Sequence, residues 1–416
     1  MIPRKNLILA DNQYYSLDCY KTRLNNNVLV VGASGSGKTR SIVEPNLRQA
    51  CGSYIISDPK GNLCRKYRDY LEKRGYVVKM VDFTHPQRSE GYNFFRYIRS
   101  TQDIVKAAHM LMYDERSRNA RDPFWDQAAE LLLSSLIAYL YLFRPVREQN
   151  LRNVMKLLDV AGVAECNVDA KTIMDRLMDD VRENYPGNFA CRQYDKVRQS
   201  AGRTMRSILI SVSAKIGGYD FPEMEHMMGG ESLDFTEIGR RKTAVFVVVS
   251  DTDRSLDGLA DLFFTQAMNE LCSYADDHCS DSRLPVDVRF IMDDFATNCR
   301  IGEFPRMISS IRSRGISTML MIQSEAQLAA SYGEDGRTIM GNCDTYVYLG
   351  GNDVDTAQAV ARRCDLPVKR ILNMPVGTNW IFRRGQEPIN GKNFPLEKME
   401  KEMKEEGYRQ SDLGRA

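Results

Sequence analysis

Eight consecutive residues, Gly32-Ala33-Ser34-Gly35-Ser36-Gly37-Lys38-Thr39, fit the pattern G-x-x-x-x-G-K-[ST] in full, and its positions suit the tail of a nucleoside triphosphate. Glycines let the backbone curl tightly enough for successive N–H groups to point at phosphate oxygens. The Lys38 ammonium can reach the β and γ phosphates, and the Thr39 hydroxyl can ligate Mg2+. The motif follows an apolar run, Asn27–Val31, and leads into a predicted helix over Arg40–Ala50. The positive end of that helix adds to the cradle.

A metal-side carboxylate has to come from the end of a neighbouring strand. Asp58, Asp82, Asp251 and Asp293 each follow a β-branched run. Asp293 is favoured because Asp294 comes directly after it. One acid can then orient the metal's hydration shell while the next polarises the attacking water. Asp251, the main rival, reads as a strand-end cap. The run Ser317–Ile322 ends in Gln323, an amide suited to sensing the γ-phosphate or holding the lytic water. Asp58-Pro59-Lys60-Gly61 reads equally as a Pro-Gly turn or as a brace for the phosphate loop, and Asp58 joins the candidate cofactor-binding residues on the second reading. No Asn-Lys-x-Asp guanine-reading motif is present, so ATP is the expected nucleotide.

The elements that must position these residues begin with apolar runs, Asn27–Val31, Ser53–Ser57, Val77–Val81, Thr243–Val249, Arg289–Met292, Ser317–Ile322, Thr345–Leu349 and Asn379–Phe382. Runs without a polar face predict strands buried on both sides, hence a mostly parallel sheet under helices, an open α/β fold. The pattern stops between Ile98 and Met205. There the periodicity predicts helices over Thr101–Tyr113, Asp122–Phe143, Leu151–Val160, Ala170–Glu183 and Cys191–Ile216. The expected organisation is a discontinuous nucleotide-binding domain over 1–97 and 205–395, an all-α insert over 98–204, and a Glu/Lys-rich tail over 396–416.

Composition excludes several classes. The chain has 416 residues, is 43% hydrophobic and 27% charged, and carries a formal net charge of +2, which suits a folded globular protein and not a disordered chain or fibre. A surface coated in nucleic acid should be far more basic, so any such contact must use a local patch. Arg192, Lys196, Arg203 and Arg206 would form such a patch on one helical face, and Arg116, Arg118 and Arg121 a second, beside Phe124-Trp125. The 10 cysteines include no Cys-x-x-Cys pair and read as reduced thiols. Met1–Ala10 has too short an apolar run for a signal peptide. The most lipid-like stretch, Leu131–Phe143, has thirteen residues, short of the roughly 18–20 needed to span a bilayer.

Several motifs occur together in one order: Asn27–Thr39, Val43–Leu47 (VEPNL), Ser57–Gly61 (SDPKG), Tyr92–Phe95 (YNFF), Arg312–Ser317 (RSRGIS), Gln323-Ser324 and Gly341–Asp344 (GNCD). In this the chain resembles the type IV secretion coupling proteins, the TraG-type conjugative ATPases, from about Asn25 to Phe394. The resemblance implies a RecA-like P-loop NTPase domain with an inserted all-α domain. It also implies a hexamer at the cytoplasmic face of the membrane that uses ATP and Mg2+ to deliver a relaxase-bound DNA strand, or effector proteins, into a secretion channel. Under it Lys38, Thr39, Asp293 and Gln323 keep the roles above, and Arg314 or Arg312 acts across a subunit interface as an arginine finger. Two departures stand out. The family usually has Asp-Glu where this chain has Asp293-Asp294, which puts more weight on Gln323. The family commonly begins with transmembrane helices, and none is read here. Two alternatives to a secretion motor are a nucleotide-gated docking adaptor with weak hydrolysis and a DNA pump of the FtsK or HerA kind.

Overall fold

Strands that lack a polar face can hide only inside a sheet covered on both sides, and the computed structural model places them so. It describes residues 5–112, 123–162, 171–199, 202–229, 231–295 and 299–399. The strands are β1 (Asn6–Ala10), β2 (Gln13–Ser16), β3 (Val28–Val31), β4 (Ser53–Ser57), β5 (Val77–Asp82), β6 (Thr243–Val248), β7 (Val288–Met292), β8 (Ile316–Ile322), β9 (Thr345–Tyr348), β10 (Thr378–Arg383) and β11 (Ile389–Lys392). β1 and β2 form a separate hairpin, and the other nine form one sheet in the order β11-β10-β9-β3-β8-β7-β4-β6-β5.

From β9 to β6 every pairing is parallel, and all residues of β3, β4, β6, β7 and β9 are buried. Parallel pairing brings the carboxyl ends of β3, β4, β7 and β8 to one edge of the sheet, where ligands bind in open α/β folds. Gly32, Asp58, Asp293 and Gln323 all fall at that edge. The sheet ends antiparallel, with β10 against β9 and β11 against β10. β11 (INGK) has no apolar pattern of its own and forms by pairing with β10. β1 and β2 are likewise absent from the sequence expectation.

Contacts divide the chain into two compact units, residues 1–79, 235–248 and 271–416, and residues 80–234 with 249–270. The second unit is wider than the expected insert at 98–204. An aromatic cluster explains the difference. Tyr92 lies edge-on to Phe263 at 5.0 Å, and Phe83 meets Phe263 at 6.1 Å. The Tyr92 hydroxyl donates to Gln266 Oε1 (2.7 Å), and Gln266 donates to the Phe94 carbonyl (3.1 Å). The YNFF motif therefore builds the core of this helical unit. Its helix Pro123–Phe143 buries Leu132, Leu133, Leu136 and Ile137 completely. No helix among the described residues is long and apolar enough to cross a membrane.

Two helical expectations are corrected. The stretch Cys191–Ile216 is two helices, Phe189–Arg198 and Gly202–Ile216, with Arg192 and Lys196 on the first and Arg203 and Arg206 on the second. The segment after the phosphate loop opens as a π turn, Thr39–Val43, before the helix Glu44–Arg48. Pro45 causes this. It has no N–H for the Ser41 carbonyl and its ring would clash there, so the register widens by one residue and the Glu44 N–H reaches the Thr39 carbonyl. Arg116, Arg118, Arg121 and the tail beyond 399 lie outside the described residues.

Candidate nucleotide-binding site

The loop between β3 and the π turn is held open by backbone geometry. Gly35 and Gly37 sit at φ +76° and +93°, conformations that side-chain-bearing residues enter at a cost. At Gly32 the constraint is space, because a Cβ would lie 2.5 Å from Ser36 Oγ and 3.0 Å from Leu349 Cβ. The Ala33 N–H donates to the Gly350 carbonyl (2.9 Å) and the Ser36 N–H to the Ala33 carbonyl (3.1 Å). The N–H groups of Ser34, Gly35, Gly37 and Lys38 have no acceptor among the described residues, and Ser36 Oγ is buried without a partner. A curl of donors with nothing to bond in the chain is what an anion's oxygens require.

Lys38 is 8% exposed. Its ammonium donates to the carbonyls of Gly32 (2.7 Å) and Ala33 (3.2 Å). Burial lowers its pKa, while Asp294 and Asp293 pull it back up, so both acids share a field with the lysine. The Thr39 hydroxyl donates to Asp293 Oδ2 at 2.8 Å. Burial raises the pKa of Asp293, opposed by the Thr39 hydrogen bond and helped by the neighbouring Asp294. The hydroxyl and carboxylate expected to flank a cation are thus already side by side. Residues and donor chemistry together fit a triphosphate with Mg2+.

Asp294 adopts φ +52°, the left-handed region that Asp and Asn tolerate better than longer side chains. Gln323 is exposed at the end of β8, with its N–H donating to Gln327 Oε1 (2.8 Å). Asp58 is turned to another task. Its carboxylate accepts from the Cys64 N–H (2.9 Å) at the start of the helix Asn62–Glu72, and among the described residues none of its hydrogen bonds reaches the phosphate loop. Asp82 accepts from the N–H groups of Thr84 and His85 and turns the chain after β5. Asp251 is exposed beyond the end of β6.

Arg312 and Arg314 precede β8, so they lie at the amino edge of the sheet, roughly 20 Å along the strand from Gln323. They are not brought to Lys38 of the same chain. Arg312 donates to the Cys19 carbonyl (2.9 Å), and Arg314 grips Asp276 with its Nε (2.9 Å) and Nη2 (2.6 Å).

Three residues at the loop were missed in the sequence. Gly350 supplies the carbonyl for Ala33, the Cβ position of Gly351 lies 3.5 Å from the Ala33 nitrogen, and Asn393 Nδ2 reaches the Ser36 carbonyl at 3.4 Å. Gly350-Gly351 after a predicted strand was the available signal for the first two. Asn393 had none. The VEPNL motif also gains a role, since Asn46 clamps β1 by accepting from the Ile8 N–H (2.9 Å) and donating to the Ile8 carbonyl (2.7 Å). Glu44 accepts from Tyr67 and Lys66, which ties the same turn to the helix Asn62–Glu72.

A phosphate loop at the carboxyl edge of a mostly parallel sheet, with a strand-end aspartate bonded to its threonine, defines a RecA-like P-loop NTPase fold. More narrowly, the chain belongs to the type IV secretory system conjugative DNA transfer family, whose profile matches residues 2–365. The conjugative coupling protein TrwBdeltaN70, solved in a trigonal form with sulphate, is 18% identical with a TM-score of 0.66, covering 88% of this chain and 85% of its own. The plasmid coupling protein TrwB, solved with the non-hydrolysable ATP analogue ADPNP, is 18% identical with a TM-score of 0.63, covering 88% of this chain and 84% of its own. VirB4 of Thermoanaerobacter pseudethanolicus is 14% identical with a TM-score of 0.57, covering 94% of this chain and 96% of its own. No curated protein matches the chain.

Proposed function

We propose that the chain is an ATP-hydrolysing coupling protein that recruits DNA–relaxase complexes, or effector proteins, and drives them into a type IV secretion channel. The observation that carries the ATPase reading is the bond between Thr39 and Asp293 beside a buried Lys38. Family membership supports the client, and TrwB solved with ADP and Mg2+ supports the cofactors.

In this reading the N–H groups of Ser34, Gly35, Gly37 and Lys38 bind the phosphate tail, and Lys38 exchanges its two carbonyl partners for phosphate oxygens. Thr39 and Asp293 would hold Mg2+, which supplies charge neutralisation on the β and γ phosphates. Asp294 accepts the proton of the attacking water, and Gln323, exposed at the end of the adjacent strand, orients that water. Arg312 or Arg314 reaches a neighbouring copy's site, which requires a homo-oligomer, a hexamer by likeness to the family. The working location is the cytoplasmic face of the cell membrane.

A docking adaptor with weak hydrolysis is the second reading, and the short acid at position 294 favours it. Single-turnover ATP hydrolysis with and without DNA separates the two. A coupling motor gives a rate that rises with DNA and is abolished in Lys38→Ala. A rate indifferent to DNA would exclude a motor driven by DNA, and a single-turnover rate near zero with or without DNA would leave the adaptor.

A further inference from the structure

The amino ends of β4, β6, β7 and β8 form the edge of the sheet opposite Lys38, and a cavity of about 740 Å3 opens there within the first unit. That volume lies in the range of small-molecule sites. Five cations line it, Lys5, Lys242, Arg283, Arg289 and Arg312, against two carboxylates, Asp18 and Asp287.

Both carboxylates are already engaged. Asp18 accepts from the N–H groups of Tyr20 and Lys21, and Asp287 from Arg283 Nη2 at 2.6 Å. Arg283 Nη1 is buried with no partner. Arg289 is 8% exposed on β7, in register with Tyr54 and Ser317. Its Nε makes a single bond of 3.3 Å, to Ser317 Oγ, and it forms no ion pair among the described residues. Among the described residues the hydrogen bonds of Arg312 and Lys242 go to carbonyls, those of Cys19 and Ala50, and the Lys242 ammonium also lies over the Tyr76 ring. A guanidinium taken out of water without a counter-charge is costly, and an anion in the cavity would supply that charge. Planar forks match phosphate oxygens in pairs.

We propose that this cavity binds a small phosphorylated ligand through Arg289 and Arg283, as a second anion site separate from the phosphate loop. The test titrates inorganic pyrophosphate calorimetrically into the full chain, using Lys38→Ala to silence the loop. The expected result is one equivalent surviving in Lys38→Ala. Adding Arg283→Gln or Arg289→Gln should weaken that equivalent by about tenfold or more, and adding Arg289→Lys, which keeps charge but loses the fork, by a smaller factor. Arg283 lies outside the strands, so its variant keeps the test valid if Arg289→Gln fails to fold. Loss of all pyrophosphate binding in Lys38→Ala would overturn the proposal. So would a surviving equivalent that neither arginine affects, or a site that takes an oligonucleotide but no pyrophosphate.

Discussion

At the residue scale, the site sets charge against burial. Burial raises the Asp293 pKa, so the folded state binds its proton more tightly than the unfolded chain does. Such a group favours folding at pH below its unfolded pKa, and that contribution is lost as pH rises through the raised value. At neutral pH Asp293 is therefore a stability cost, one that the proposed metal role would account for. Asp293→Asn should melt higher than wild type at pH 7.5 without nucleotide, with the gap closing as pH falls into the carboxylate range, and should lose turnover. A lower melting temperature at neutral pH would contradict this. Asp294 adds a backbone constraint. At φ +52° Asn substitutes without strain, so Asp294→Asn should slow hydrolysis by about a hundredfold or more with no change in melting. Asp294→Glu pays a backbone cost for its longer reach and should melt lower, as thermal denaturation of the pair will show. Lys38, Thr39 and Asp293 were legible because motif and strand end lie in local sequence. Asn393 was not, since it reaches Ser36 from 357 positions away.

At the element scale, the strands that were legible are those buried on both faces, because an unbroken apolar run has one simple home. β11 was hidden because its residues alternate half-buried and exposed around Gly391, and β1 because its short run sits beside a basic N-terminus. The sequence predicts one helix over Cys191–Ile216 where the structure has two, Phe189–Arg198 and Gly202–Ile216, since apolar spacing runs through both. The VEPNL motif was visible as a motif, but its work is a contact with distant Ile8. Asn46 is 2% exposed and satisfies both main-chain groups of Ile8. Asn46→Ala leaves them unpaired in a dry place and should cost about 1–3 kcal/mol in urea unfolding. An unchanged midpoint would mean that β1 is held by its hydrophobic packing alone.

At the scale of the whole molecule, a formal net charge of +2 leaves little long-range pull on nucleic acid, so the proposed DNA contact would rest on local basic groups. DNA stimulation of hydrolysis should fall steeply as salt rises from 50 to 200 mM, following the release of counterions. Stimulation that ignores salt would point to a partner recognised without phosphate contacts. The helical unit's existence was legible from its loss of strand pattern. Its extent was not, because Tyr92 and Phe263 join only in three dimensions.

All of this depends on the loop between β3 and the π turn gripping a triphosphate. Calorimetric titration of ADPNP with Mg2+ into wild type and Lys38→Ala, with folding checked by circular dichroism, tests that directly. The expected result is one equivalent bound by wild type and affinity at least tenfold weaker in the variant at unchanged fold. Equal affinity in the two proteins, or no uptake by wild type, would contradict it.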